Sequence, residues 1–118
     1  MSFWPAAHSA GLSQSAQLEI DQLLGALGSS NCGFNRNGTW YTASDAQAHL
    51  TKKYEYLRKK KLLESAEDFI AKGGTESSRS GQPYQVQCGQ EDAVPSAVWL
   101  QDALRRLRSG TSPNAGTK

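Results

Sequence analysis

The sequence has little of what metal-binding, membrane or nucleic-acid-binding proteins require. Its 118 residues include two cysteines and two histidines, without the pair spacings of a zinc site. No apolar run approaches the roughly 18 residues of a membrane-spanning helix, and a net charge of +2 is too small to predict nucleic-acid binding by itself. The phosphate-binding loop, the dinucleotide fingerprint and the Gly-x-Ser-x-Gly elbow are absent as well. We therefore expect no metal, no cofactor, no membrane span and no nucleic-acid partner.

Candidate catalytic residues are also scarce. Asp45 and His49 lie one helical turn apart and could orient a general base, but a local hydrogen bond near a helix start is the more common role of such a pair. Cys32 as a nucleophile would need His49 nearby, and a second cysteine, Cys88, explains Cys32 more simply. We expect that the protein is not an enzyme.

The length of the chain fits one domain with a tail at each end. We expect a flexible leader over residues 1–11, a globular domain over 12–108 and a disordered tail, rich in Gly, Ser and Thr, over 109–118. The first residues lack the basic start and apolar stretch of a signal peptide. The sequence alone therefore allows a cytoplasmic protein or the mature domain of an exported one.

A β-hairpin is the strongest local prediction. Asn37 and Gly38 are the residues that a two-residue type I′ turn prefers, because both of its central positions need positive φ. Such a turn places Phe34 opposite Tyr41 on one face of the ribbon and Trp40 on the other face. A lone hairpin is marginal in water, so a third strand or a helix must cover Phe34 and Tyr41.

Apolar residues at helical spacing predict four helices. Their expected starts are serine or threonine caps, at Ser13 or Ser15, Thr42, Ser65 and Ser96. Thr42 with Asp45 also has the spacing of a capping box. The basic run 58–61 follows the second helix pattern, and we interpret it as a solvated helix end rather than a phosphate-binding patch.

The alternating stretch 83–88 predicts a third strand, with Tyr84, Val86 and Cys88 on one face. If it pairs with the strand that follows Cys32, the two cysteines could meet near one end of the sheet. A disulfide bond and two buried thiols both remain open on this evidence. The expected fold is α+β, with about four helices packed on a small antiparallel sheet of about three strands.

The stretch 73–82 is the least periodic internal segment, and we expect an exposed, mobile loop without a side chain suited to the core. Loops of this kind are often binding elements, although simple flexibility is the more common case. Short hydroxyl side chains and one arginine could enter a partner's cleft at small steric cost. Trp40 is either covered by a helix, which we favour, or exposed for a partner. The candidate partner-binding residues are Thr75, Glu76, Ser77, Ser78, Arg79, Ser80 and Trp40.

In order and spacing, the sequence from Leu18 to Arg108 resembles a family of small exported bacterial proteins of unassigned function, of the enterobacterial periplasmic type. The residues that carry the resemblance include Glu19, Ile20, Leu23 and Leu24, then Ser30, Cys32, Phe34, Arg36, Asn37, Gly38, Tyr41, Ala43, Ala46, His49, Leu50, Lys53 and Tyr54, and finally Ser65 to Ile70, Ser77, Ser78, Ser80, Gly81, Pro83, Tyr84, Val86, Cys88, Pro95, Ser96, Trp99 and Leu100. The resemblance implies a periplasmic location and, because that compartment is oxidising, a disulfide bond between Cys32 and Cys88.

Proteins of this kind also resemble immunity proteins of type VI secretion systems, which neutralise peptidoglycan amidases delivered by neighbouring cells. This resemblance implies a protein partner, a secreted cell-wall amidase with a Cys-His site in a groove. It also implies that Ser78 or Ser80 plugs that groove by placing a hydroxyl on the catalytic histidine. The alternative is a non-catalytic housekeeping envelope protein with a structural or chaperone-like role. A long helix with an exposed Trp face could in addition support a homodimer.

Overall fold

The computed structural model describes residues 11–110 and shows an α+β fold with four helices and a four-stranded antiparallel sheet. The helices are α1 (Gln14–Gly28), α2 (Ala43–Lys59), α3 (Ala66–Gly73) and α4 (Ser96–Arg108). The strands are β1 (Gly33–Arg36), β2 (Thr39–Tyr41), β3 (Gln85–Gln87) and β4 (Val94–Pro95). Residues 1–10 and 111–118, which hold most of the expected leader and tail, lie outside the described residues.

The predicted hairpin is confirmed. β1 and β2 are antiparallel, and Phe34 lies opposite Tyr41 in the expected register. Asn37 and Gly38 have φ angles of 55° and 86°, as a type I′ turn requires. The turn residues therefore fix the register of the ribbon, which places Phe34 and Tyr41 on the same face.

The sheet has the order β2-β1-β3-β4, so the predicted third strand does pair with β1. The fourth strand was not predicted, because two residues are too few for an alternating pattern to appear. β4 lies at the edge of the sheet, where Pro95 costs no ladder hydrogen bond.

The core lies between the helices and one face of the sheet. Phe34, Tyr84 and Val86 supply the sheet side of this core, and each of them is about 1% exposed. The helices contribute a set of buried apolar residues that includes Ile20, Leu23, Leu27, Ala46, Leu50, Tyr54, Phe69, Ile70, Leu100 and Leu104. The apolar residues that predicted the helices therefore meet in one cluster.

Cys32 and Cys88 form a disulfide bond with an S–S distance of 2.02 Å. The bond lies just before β1 and just after β3, whose residues Gly33 and Gln87 are directly paired. The alternative of two buried thiols, which the spacing alone left open, is excluded.

Three of the four predicted helix caps are confirmed. The hydroxyl groups of Ser13, Thr42 and Ser65 each accept a hydrogen bond from the backbone N–H three residues further on, at 3.0–3.1 Å. A cap of this kind stabilises a helix by about 1 kcal/mol.

The fourth predicted cap, at Ser96, is wrong. Pro95 occupies the cap position of α4, and no side chain caps that helix. Ser96 is instead fully buried, and its hydroxyl donates to the carbonyl oxygen of Gly74 at the end of α3. Its backbone N–H donates to the carbonyl of Tyr84 at 2.9 Å. Ser96 thus joins α3, β3 and α4, a long-range role that the local cap pattern could not reveal.

We expect replacement of Ser96 by alanine to lower the free energy of unfolding by about 1–3 kcal/mol, because the buried Gly74 carbonyl loses its donor. Urea denaturation measures the change. Ser44→Ala, at an exposed serine of α2, is the control and should change stability by less than about 0.5 kcal/mol. Equal stability changes in the two variants would contradict the assigned role.

None of the helices within residues 11–110 is long and apolar enough to cross a membrane.

Candidate binding site

The loop 75–82, called the serine loop below, is closed by backbone hydrogen bonds. The N–H of Ser77 donates to the carbonyl of Gln82, and the N–H of Gly81 donates back to the carbonyl of Ser77, both at 2.9 Å. At its base, the N–H of Tyr84 donates to the carbonyl of Thr75, also at 2.9 Å. The serine loop is therefore a defined turn that leads into β3.

Ser77 corrects the prediction that no side chain of this loop is suited to burial. It is 5% exposed, and its hydroxyl oxygen accepts from the backbone N–H of Arg79 at 3.2 Å and of Ser80 at 3.4 Å. A short polar side chain can be buried in this way when its hydrogen bonds are satisfied.

The tip of the hairpin holds the serine loop from the side. Asn37 donates from Nδ2 to the Ser77 hydroxyl at 3.3 Å, and its Oδ1 accepts from the Ser80 hydroxyl at 2.5 Å. We call Asn37, Ser77 and Ser80 the Asn37 clasp. The clasp couples two loops that are 40 residues apart, and it occupies the hydroxyl of Ser80.

The remaining candidates of the loop are differently placed. Ser78 and Arg79 are exposed at the tip, and the Ser78 hydroxyl has no hydrogen bond among the described residues. Glu76 is exposed at the base, whereas Thr75 is half-buried and its hydroxyl donates to the carbonyl of Ile70 at 2.7 Å. The structure thus offers Ser78 and Arg79 as the outward groups of the loop.

Trp40 does not belong to the core, so the interpretation that we favoured is wrong. It is 46% exposed, on the face of the sheet opposite Phe34, and the described helices pack on the Phe34 side. Its six-membered ring leans over Gly33, where a Cβ atom would lie 3.3 Å from Cε3. Trp40 is therefore exposed to a partner. A contact between Trp40 and a partner stays a prediction, and so does a homodimer.

A partly buried polar network lies below the serine loop. Lys53 donates from Nζ to the carbonyl of Glu76 at 2.9 Å and to the hydroxyl of Tyr84 at 3.0 Å. The same hydroxyl lies 3.0 Å from Nε2 of His49. Because Tyr84 is buried and accepts from Lys53, its proton is left to donate to His49. We therefore assign to His49 the neutral tautomer that carries its proton on Nδ1.

The ionisation of His49 agrees with that assignment. Its pKa is lowered from 6.5 to about 4, first by burial and then by the positive charges of Arg36, Lys53 and Lys52. The expected local bond between Asp45 and His49 is absent among the described contacts, because the imidazole turns toward Tyr84 instead. The sequence did not reveal that the Tyr84 hydroxyl links His49 to Lys53. The four-residue spacing of His49 and Lys53 on α2 was the available signal.

The serine loop and α2 border a surface groove of about 470 Å³. We call it the basic groove, and it is lined by His49, Lys52, Lys53, Tyr56, Leu57, Lys72 and Ser78. Within residues 11–110, no group of three or more His, Cys, Asp or Glu side chains is arranged to hold a metal ion. The arrangement is suited to binding through hydrogen bonds and positive charge.

The fold and the site define a small disulfide-bonded α+β protein with a hydrogen-bonded surface loop beside a basic groove. The chain belongs to a family of unknown function, DUF5329, whose family model matches residues 14–108. This agrees with the expected family of unassigned function. No curated protein and no solved structure matches the chain.

Proposed function

We propose that the protein is a periplasmic immunity protein, which inhibits a peptidoglycan amidase of a type VI secretion system by placing the serine loop in its active-site groove. The observation that carries the proposal is the Asn37 clasp, which holds the loop while leaving Ser78 and Arg79 exposed. A binding loop that is ordered before association loses less conformational entropy when it binds.

The chemistry of the loop tip supports the same role. The Ser78 hydroxyl can donate and accept, so it can take the place of a substrate or water group on a catalytic histidine. Arg79 can form a two-point hydrogen bond with a carboxylate at the rim of the groove. Neither side chain forms a hydrogen bond or an ion pair with another described residue. Both can therefore bind a partner.

The disulfide supports the proposed compartment. A bond between Cys32 and Cys88 persists where the surroundings are oxidising, as in the periplasm. Export of this chain remains part of the proposal.

The test compares inhibition of purified type VI peptidoglycan amidases on purified sacculi. We expect Ser78→Trp to weaken inhibition by at least about thirtyfold, because the larger side chain cannot enter a groove that fits serine. Ser44→Trp, at an exposed serine of α2, should inhibit like the wild type. Equal inhibition by the two variants would contradict the loop model, and no inhibition by the wild type would favour the envelope role.

A second variant tests the clasp itself. Asn37→Gly removes the side chain that holds Ser77 and Ser80, while glycine still accepts the φ of 55°. We expect inhibition to weaken about tenfold through a lower association rate or a faster release, with little change in the melting temperature. Unchanged inhibition would show that the clasp does not preorganise the loop for binding.

A further inference from the structure

The charged side chains that line the basic groove are all lysines, and all are positive. Three lysines line it, Lys52, Lys53 and Lys72, and no acidic side chain does. Lys72 is paired with Asp68 at 3.4 Å, at a site where both groups are exposed or half-exposed. Arg36 adds positive charge from β1, because it lowers the pKa of both His49 and Lys53.

Lys53 is the most buried of the three lysines, and it has no counter-ion in contact. Its side chain is half-buried, and its two hydrogen-bond acceptors, the Glu76 carbonyl and the Tyr84 hydroxyl, are both neutral. No carboxylate lies within ion-pair distance of it among the described residues. Burial lowers the pKa of Lys53, and the more distant carboxylate of Glu76 opposes this only in part. A partly buried ammonium without a counter-ion is costly, and an anion in the groove would remove that cost.

Hydrogen-bond donors converge on the same space. Lys53 has a third N–H beyond the two already used, and neutral His49 has its proton on Nδ1. The hydroxyl of Ser78 and the ammonium of Lys52 line the groove without other described partners. These groups can supply the several donors that an anionic oxygen pair requires.

One wall of the groove is apolar. Tyr56 is 58% exposed, and Leu57 beside it is half-buried. Both follow the lysines by one turn of α2, so the wall is continuous with the charged part. A ligand that fits both parts has an anionic head and a small apolar body.

We propose that the basic groove is a binding site for a carboxylate ligand with an apolar side group, whose oxygens bind Lys53 and Ser78. The site shares Ser78 with the proposed amidase contact, but ligand binding does not require inhibition of an amidase. The carboxylate head takes the position of the missing counter-ion, and the apolar group packs against Tyr56 and Leu57. A carboxylate can accept two hydrogen bonds at once, and the groove offers one donor from α2 and one from the serine loop.

N-acetyl-leucine is the probe, and N-acetyl-leucinamide is its neutral control. We expect N-acetyl-leucine to cause saturable NMR shifts at Lys53, Ser78 and His49, and to raise the pKa of His49 from about 4. The amide should cause none of these changes. Equal shifts with the two compounds, or shifts that do not saturate, would overturn the proposal.

Lysine variants test whether N-acetyl-leucine binds in the basic groove. Lys53→Met should weaken binding of N-acetyl-leucine by about tenfold or more, and Lys52→Met by a few-fold, since the latter is exposed. Lys52→Met keeps the test valid if Lys53→Met does not fold. Lys59→Met, at an exposed lysine of α2 outside the groove, is the matched control and should bind like the wild type. Equal affinity in all variants, or tighter binding of inorganic phosphate than of N-acetyl-leucine, would contradict the assignment.

Discussion

Loss of the disulfide between Cys32 and Cys88 is expected to lower the free energy of unfolding by about 4 kcal/mol. The bond closes a loop with a sequence separation of 56, and the unfolded chain gains the corresponding freedom when the bond is removed. Urea denaturation of the oxidised protein and of the double variant Cys32→Ala, Cys88→Ala measures the difference.

The reduced wild type is the control for the packing effect of the alanines. Intact mass after alkylation confirms that both thiols are free in that sample. A difference of less than about 1 kcal/mol between oxidised and reduced protein would contradict the expectation. Such a result would mean that the unfolded chain keeps Cys32 and Cys88 close together even without the bond.

Acidification is expected to destabilise the protein before its carboxylates titrate. The pKa of His49 is about 4 in the folded state and 6.5 when free, so the unfolded state binds more protons between these values. The contribution of neutral His49 to the free energy of unfolding is fully present above about pH 6.5, and it is lost as the pH decreases toward about 4. Between about pH 7 and pH 5 we expect a loss of about 1 kcal/mol, because solvent screening reduces the effect of the pKa shift at this half-buried group. Urea denaturation at each pH measures the loss.

His49→Gln is the control, because glutamine can accept from Tyr84 but does not titrate. Its stability should be nearly flat over the same range. Glu19 and Glu67, whose pKa values are lowered by hydrogen bonds from Arg108, contribute a loss only below about pH 4.5. If the free energy of unfolding of the wild type depends on pH as little as that of His49→Gln, His49 is not held in its neutral form.

The parts of the fold that depend on nearby residues could be predicted from the sequence. The turn at Asn37, the caps at Thr42 and Ser65, and the inward side of the strand at Val86 each follow from spacing within a few residues. The disulfide required the pairing of two strands, and spacing alone left it open. The two-residue strand β4 has no pattern of its own and forms only because β3 is beside it.

The site depends on contacts between distant residues, and for that reason it could be predicted only in part. The serine loop was identified, but the burial of Ser77 depends on Asn37, which lies 40 residues earlier. His49 was paired with its sequence neighbour, while its partner Tyr84 lies 35 residues away. The exposure of Trp40 depends on which face of the sheet the helices cover, and the alternation of a strand does not specify that face.

The most direct test of the proposed function is protection of the catalytic cysteine of a type VI peptidoglycan amidase from alkylation. The purified amidase is treated with iodoacetamide, with and without an equimolar amount of this protein, and modification of the cysteine is followed by mass spectrometry. If the serine loop occupies the active-site groove, the wild type slows modification and Ser78→Trp does not. Modification at an unchanged rate in the presence of saturating, bound wild-type protein would contradict the claim that the loop with Ser78 at its tip occludes the active site.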